Sequence, residues 1–169
     1  RRATEGGVIR WIQAAARAQL HVFRGFSVDA VQVIVAPVPG FGGEPVSFGM
    51  AFRGGGAGIV LLLGSRAEDE DLPGEWVAVH ELFHVGMPRL EGRDAWLFEG
   101  VTQYYTEVLR GRAGFLSPRE AWQRLLSGFG RGRRSVSHRS LAAESATMHR
   151  TGAYQRVYWG GAAIALQWD

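Results

Sequence analysis

The stretch that decides the fold is WVAVHELFHV, residues 76–85. Its ionisable side chains all fall in one motif, His80-Glu81-Leu82-Phe83-His84, so the run predicts a helix that is apolar all round and buried. Ionisable side chains in a buried helix are expected to be paired or bound to metal, because isolated buried charge is strongly unfavourable. Histidines four residues apart share one helical face and can bind the same Zn²⁺, within reach of the neighbouring glutamate. The alternative is a pair of core histidines satisfied by hydrogen bonds.

The segments before this helix predict a helix followed by a small sheet. Residues 8 to about 23 are rich in helix formers. The β-branched and apolar runs that predict strands lie at 31–36, 47–52 and 58–63. We expect Pro37 to end the first strand. The glycine-rich stretch 53–57 separates the other two strands, a pattern typical of a hairpin.

From residue 73 onward the apolar pattern is helical. The predicted helices cover 76–85, 95–111, 117 to 126 or 129, and 154 to the end. The third has a capping box, with Ser117 as N-cap, Pro118 at the first helical position and Glu120 closing the box. The arginine-rich stretch 131–140 favours a solvated basic loop, with binding of an anion or an acidic partner as the alternative. Strands followed by helices predict an α+β fold, one domain with a sheet-rich part at about 26–66 and a helical part at about 73–169.

Composition narrows the chemistry. The 169 residues include no cysteine and, because all 19 Lys+Arg positions are arginine, no lysine. Disulfides, thiolate metal sites and cysteine or lysine nucleophiles are therefore excluded. A net charge of +3 without an arginine–aromatic RNA-binding signature does not indicate nucleic acid. The longest apolar run, 59–63, is far short of the roughly 20 residues that a membrane-spanning helix needs.

A catalytic zinc site needs a third protein ligand and an open fourth position. The candidates are a carboxylate or one of three histidines, His21, His138 and His149. Glu99 is preferred because it lies at the start of the next predicted helix, whereas Glu91, its nearest rival, lies in a loop. With Gln103 and Glu107, however, Glu99 also forms a stripe at i, i+4 and i+8 that is typical of a solvent-facing surface.

Longer blocks resemble one group of metallopeptidases. HELFH at 80–84 followed by WLFEG at 96–100 resembles the gluzincins, and within them most closely the glycyl aminopeptidase-like family. WLFEGVTQYY at 96–105 is similar to that family's W-x-x-E-G-x-T-x-Y-Y block. Segments 112–114, 140–145 and 157–162 are similar to later blocks of this family and of aminopeptidase N relatives. The resemblance covers about residues 75–169.

The resemblance implies a thermolysin-like catalytic core that hydrolyses peptide bonds with one Zn²⁺. It implies that the metal ligands are His80, His84 and Glu99. It further implies that Glu81 is the general base and that Tyr158 donates a hydrogen bond to the oxyanion. His138 and His149 are alternative oxyanion donors, since other gluzincins use a histidine. If strand 47–52 is a sheet edge above the site, it can pair with an extended peptide or protein substrate.

The resemblance also implies further domains of the same polypeptide, a β-rich one before the core and more helices after it. A start at Arg1-Arg2 with neither an initiator methionine nor an apolar signal segment agrees with a fragment of a longer chain, as does a helix still running at Asp169. The compartment is not readable from these residues. Family resemblance alone slightly favours an exported or periplasmic protein.

Two features depart from the family pattern. The interval between His84 and Glu99 is shorter than in the family, so the loop at 85–94 must follow a tighter path. Aminopeptidases of this group bind the substrate amine through a glutamate in a Gly-x-x-Glu strand motif, yet strand 47–52 has no carboxylate and the nearest acid is Glu44. Aminopeptidase and endopeptidase activity both stay open. The competing hypothesis is a non-catalytic gluzincin-like binding or scaffold domain.

Overall fold

The computed structural model describes residues 2–26, 28–39, 44–135 and 137–169. Its helices are α1 (Glu5–Gln19), α2 (Val77–Gly86), α3 (Ala95–Arg112), α4 (Pro118–Arg134), α5 (Leu141–Ser145), α6 (Met148–Thr151) and α7 (Tyr154–Trp168). Its strands are β1 (Val31–Val38), β2 (Val46–Arg53) and β3 (Ala57–Gly64). This order confirms the predicted α+β fold of one helix, a small sheet and a helical lobe. Arg1, used in the expectation of a longer chain, and Val136 of the predicted basic loop lie outside the described residues.

The three strands form one mixed sheet with β3 in the centre, in the order β1-β3-β2. β1 runs parallel to β3, whereas β2 runs antiparallel to it. Gly55 and Gly56, with φ of +73° and +145°, form the turn between β2 and β3, which confirms the predicted hairpin. β1 continues through Pro37, contrary to expectation. An edge strand tolerates proline because its outer side needs no N–H for the ladder.

α2 lies between the sheet, α1 and α3. Every residue from Val77 to Val85 is buried, as the all-round apolar pattern predicted. Ile59 and Leu61 of β3 are fully buried in the same core, which also includes α1 side chains. Gln19 of α1 donates from Nε2 to the carbonyl oxygen of Val79 at 3.0 Å, so a buried amide joins α1 to α2. The motif at 80–84 thus lies on an enclosed helix that packs against the sheet, α1 and α3.

α3 and α7 cross with their backbones in contact. A Cβ atom built on Gly100 of α3 would lie 2.5 Å from the carbonyl carbon of Gly161 and 2.8 Å from the nitrogen of Ala162 in α7. Backbone atoms cannot rotate out of the way, so this crossing requires glycine at both positions. The contact lies beside Glu99 and one helical turn from Tyr158, and it therefore brings these two side chains together.

α4 continues to Arg134, so the stretch predicted as a basic loop is partly helical. Two glycines of α4 pack against α7. A Cβ atom on Gly132 would lie 2.9 Å from Cβ of Trp159, and Gly128 lies against the indole ring of the same residue. Arg131 stacks over that ring at 4.9 Å from its centre. No described helix is both long and apolar enough to cross a membrane.

Candidate metal centre

Three side chains from two helices converge on one point. Nε2 of His80 and Nε2 of His84, one turn apart on α2, lie 3.5 Å and 3.3 Å from Oε2 of Glu99 on α3. Potential ligand atoms of the three residues all lie within 4.8 Å of one another. The rings of His80 and His84 are nearly perpendicular, with centroids 4.8 Å apart. The structure therefore brings together the three residues proposed from the sequence as metal ligands.

The separations fit a zinc ion. Two ligand atoms about 2.1 Å from a tetrahedral ion lie about 3.4 Å apart, close to the distances from Glu99 Oε2 to the two histidine nitrogens. This oxygen is buried and makes no hydrogen bond within the described residues. Burial raises the pKa of Glu99, but the adjacent imidazoles of His80 and His84 outweigh it and hold that pKa far below its usual range. A buried carboxylate kept ionised beside two imidazoles is suited to binding a divalent cation.

The polar stripe on α3 does not face solvent. Gln103 and Glu107 are only 6% and 5% exposed, and the side chain of Glu99 is 16% exposed. α2, α4 and α7 pack around α3 and cover this face. Glu107 forms a buried ion pair with Arg110 at 2.7 Å. The alternative of a solvated stripe is therefore wrong, because tertiary packing places a helix face that looks exposed in the sequence inside the molecule.

Glu81 lies beside this cluster and under the edge strand β2. A Cβ atom on Gly49 of β2 would lie 2.7 Å from Cγ and 3.0 Å from Oε1 of Glu81, so the absence of a side chain at Gly49 lets the strand approach the carboxylate. Burial raises the pKa of Glu81. The nearby His80 and a hydrogen bond from the backbone N–H of Ala51 lower it again, but only in part. A raised pKa suits a residue that takes up a proton and releases it again. The single glycine within the Phe48–Met50 run was the sequence signal of this approach, and sequence reasoning missed it.

Tyr158 of α7 lies beside His80. The two rings are parallel within 3°, with centroids 6.2 Å apart. Burial raises the pKa of Tyr158, and the negative charge of Glu99 raises it further. The phenol therefore keeps its proton at neutral pH and can act as a hydrogen-bond donor.

These side chains line a cleft of about 570 Å³. Its wall on the sheet side is β2, where Phe48 and Met50 are each 49% exposed. The outer edge of β2 carries no strand in the described part of the chain. An open strand edge with apolar side chains beside the three candidate ligands is a suitable surface for an extended peptide.

The other candidates lie outside the ligand cluster. Glu91 lines the cleft, but it is exposed and its Oε1 forms an ion pair with Nε of Arg89 at 2.6 Å. His149 also lines the cleft, with Nδ1 3.1 Å from the hydroxyl of Tyr154. His21 and His138 are exposed and do not line it. Within the described residues, His80, His84 and Glu99 are the one group with metal-binding geometry.

An HExxH helix, a glutamate on the following helix and a sheet edge above them resemble the arrangement of the gluzincin metallopeptidases. Residues 89–164 match the family model of the M61 glycyl aminopeptidase. The match includes Glu99 and Tyr158 and begins just after the HExxH motif. It confirms the predicted resemblance to the glycyl aminopeptidase-like family.

The fold has a counterpart among solved structures. An aminopeptidase N family protein from Idiomarina loihiensis matches with a TM-score of 0.69 at 18% identity. The alignment covers 97% of this chain but 32% of that protein, so the present chain corresponds to about a third of its length. At this identity the likeness concerns the fold. No curated protein matches the sequence.

Proposed function

We propose that this chain is a zinc-dependent peptidase core in which His80, His84 and Glu99 hold one Zn²⁺. The observation that carries the proposal is the arrangement of three ligand atoms at the spacing of a tetrahedral ion, with Glu81 and Tyr158 beside them. The three ligands leave one coordination position for the reaction, as in catalytic zinc sites. The match to a peptidase family supports a peptide substrate.

Zinc at this site would polarise the scissile carbonyl and lower the pKa of a water molecule toward about 7. Glu81 would accept a proton from the attacking water and transfer it to the leaving amine, as base and then acid. Its position beneath Gly49 places the carboxylate between α2 and the substrate edge. The raised pKa of Glu81 brings it closer to the pKa of the attacking water, which favours proton transfer to and from the carboxylate.

Tyr158 would donate a hydrogen bond to the oxyanion that forms as the carbonyl is attacked. A buried, protonated phenol held parallel to His80 is a fixed donor, and such donors are worth about 10²-fold or more in rate. The crossing at Gly100 and Gly161 holds this donor on the same rigid unit as Glu99.

The substrate would lie along the open edge of β2, with its backbone hydrogen-bonded to the strand and its side chains against Phe48 and Met50. The acids that line the cleft within the described residues are Glu81, Glu91 and Glu99. Glu91 has Arg89 as its partner, so a free amine would have to compete for it. The products released from a peptide library identify whether cleavage is N-terminal or internal.

The direct test is Glu81→Gln, with exposed Glu70→Gln as the matched control. Glu81→Gln should bind one zinc per chain as tightly as wild type and lose peptide hydrolysis by about 10²–10⁴-fold, the usual contribution of a general base. The control should match wild type in both measurements. Retained hydrolysis in Glu81→Gln would refute the role of Glu81. A wild-type protein that binds no zinc under replete conditions would favour the non-catalytic scaffold instead.

A further inference from the structure

Two threonines on α3 contact the two histidines on α2 from behind. Oγ1 of Thr102 lies 3.1 Å from Nδ1 of His84, and Oγ1 of Thr106 lies 3.2 Å from Nδ1 of His80. Both threonines are fully buried. The two threonines are four residues apart on α3, and the two histidines are four residues apart on α2. Each pair therefore lies on one face of its helix, and the two faces are in contact. Neither threonine is one of the proposed metal ligands, so these contacts have a separate role.

The direction of these hydrogen bonds follows from counting protons. A threonine hydroxyl has one hydrogen. Thr102 Oγ1 lies 2.8 Å from the carbonyl oxygen of Phe98, and Thr106 Oγ1 lies 2.7 Å from the carbonyl oxygen of Thr102. A carbonyl oxygen only accepts, so each hydroxyl hydrogen is used there. The thioether of Met87, 3.5 Å from Thr102 Oγ1, likewise only accepts.

Each threonine must therefore accept a hydrogen bond from the histidine that it contacts. The proton of His80 and of His84 is then held on Nδ1, and the lone pair on Nε2 points toward Glu99. Partners of this kind fix the orientation and tautomer of metal-binding histidines. In this chain two hydroxyls that are bonded to their own helix take the place of the usual carboxylate or backbone carbonyl.

We propose that Thr102 and Thr106 are positioning residues that fix His84 and His80, respectively, in the tautomer that binds metal through Nε2. This inference rests on the proposed function, because it concerns the Nδ1 hydrogen bonds of the two histidines proposed as zinc ligands. Loss of such a partner typically lowers metal affinity by about 10–100-fold.

The test compares Thr102→Val, Thr106→Val and Thr102→Ser with wild type. Valine keeps the shape of threonine but accepts no hydrogen bond, whereas serine keeps the hydroxyl. Thr151→Val is the matched control, because Thr151 also donates to the carbonyl four residues earlier, at 3.1 Å, and is exposed. Zinc affinity is measured by competition with a chelator. Nuclear magnetic resonance of the zinc-loaded, ¹⁵N-histidine-labelled protein reports the Nδ1 protons.

Wild type should show two slowly exchanging Nδ1 protons, one on His80 and one on His84. Thr102→Val should weaken zinc binding about 10–100-fold and expose the His84 proton to exchange while that of His80 stays protected. Thr106→Val should have the converse effect, and Thr102→Ser should restore both properties of wild type. Thr151→Val should behave as wild type.

Zinc binding by wild type without protected Nδ1 protons would overturn the assignment of the threonines and leave the proposed function intact. Unchanged zinc affinity and unchanged His84 protection in Thr102→Val would do the same. A wild type that binds no zinc overturns the proposed function itself, so the two failures are distinguishable.

Discussion

Replacement of Gly100 by alanine should separate α3 from α7 and so displace Tyr158 from the metal centre. The new Cβ would lie 2.5 Å from the carbonyl carbon of Gly161, a backbone atom that no rotamer change can move. Ordinary contact begins near 3.4 Å, so the helices must part by about 1 Å. Both helices pack on α4, but α3 is also held by α1 and α2, and we therefore expect α7, which carries Tyr158, to move.

The size of the effect follows from this displacement. A misplacement of about 1 Å near reacting groups costs about 10²-fold in rate. Overpacking against backbone is at the upper end of its range, about 3 kcal/mol, and alanine returns about 1 kcal/mol of helix propensity. The net loss of about 2 kcal/mol corresponds to a fall in Tm of about 4–8 °C for a chain of this size. Zinc affinity should change little, because His80, His84 and Glu99 lie on α2 and α3.

Three measurements on one preparation check this prediction: thermal unfolding, zinc affinity by chelator competition, and kcat with a peptide substrate. Gly130→Ala is the matched control, since its Cβ would meet the flexible end of Arg134 at 3.2 Å. The control should keep full activity and gain up to about 1 kcal/mol. If Gly100→Ala retains both the Tm and the kcat of wild type, the close crossing does not position Tyr158.

Gly49→Ala should lower kcat about tenfold or more at unchanged zinc content, because its Cβ would press on the side chains of Val77 and Glu81 and so displace the Glu81 carboxylate; kinetics and metal analysis check this. Asp69 accepts hydrogen bonds from Thr4 that lower its pKa below the usual 3.8. Wild type should thus exceed Asp69→Asn in urea midpoint at pH 7, and the difference should vanish as the pH falls through the lowered pKa. Zinc at 100 times its Kd should add about 2.7 kcal/mol, a Tm gain of about 5–11 °C that a chelator abolishes in a thermal scan.

Much of the fold was predictable because its signals are local. The capping box of Ser117 and Glu120 forms as predicted, with the Ser117 side chain accepting from the backbone N–H of Glu120 and the Glu120 carboxylate accepting from the backbone N–H of Ser117. The hairpin at Gly55 also forms where its glycines indicated it. The predicted end of this helix at 126 or 129 was wrong, because α4 continues to Arg134 and its Gly128 and Gly132 make room for Trp159 from a distant helix. A glycine that ends a helix and a glycine that admits a neighbouring helix are identical in a single sequence.

The candidate site also combines features that local sequence predicts with features that depend on helix packing. The spacing of His80, Glu81 and His84 in an apolar helix was enough to indicate a metal, because periodicity alone places both imidazoles on one face. Helix position favoured Glu99 over Glu91, and the family resemblance strengthened its assignment as a ligand over a solvent-facing residue. The two threonines behind the histidines were not predicted. Their role depends on which face of α3 meets α2.

The sequence by itself determined the identity of the candidate metal-binding helix, the α+β order of elements and the exclusion of cysteine and lysine chemistry, since these depend on residue type and local spacing. Tertiary structure alone decided that Glu99 faces inward, that Gly49 admits the edge strand to Glu81, and that Gly100 and Gly161 bring Tyr158 to the centre. The reason is physical: helices can meet on several faces at similar local cost, and only the packing of the complete core selects one.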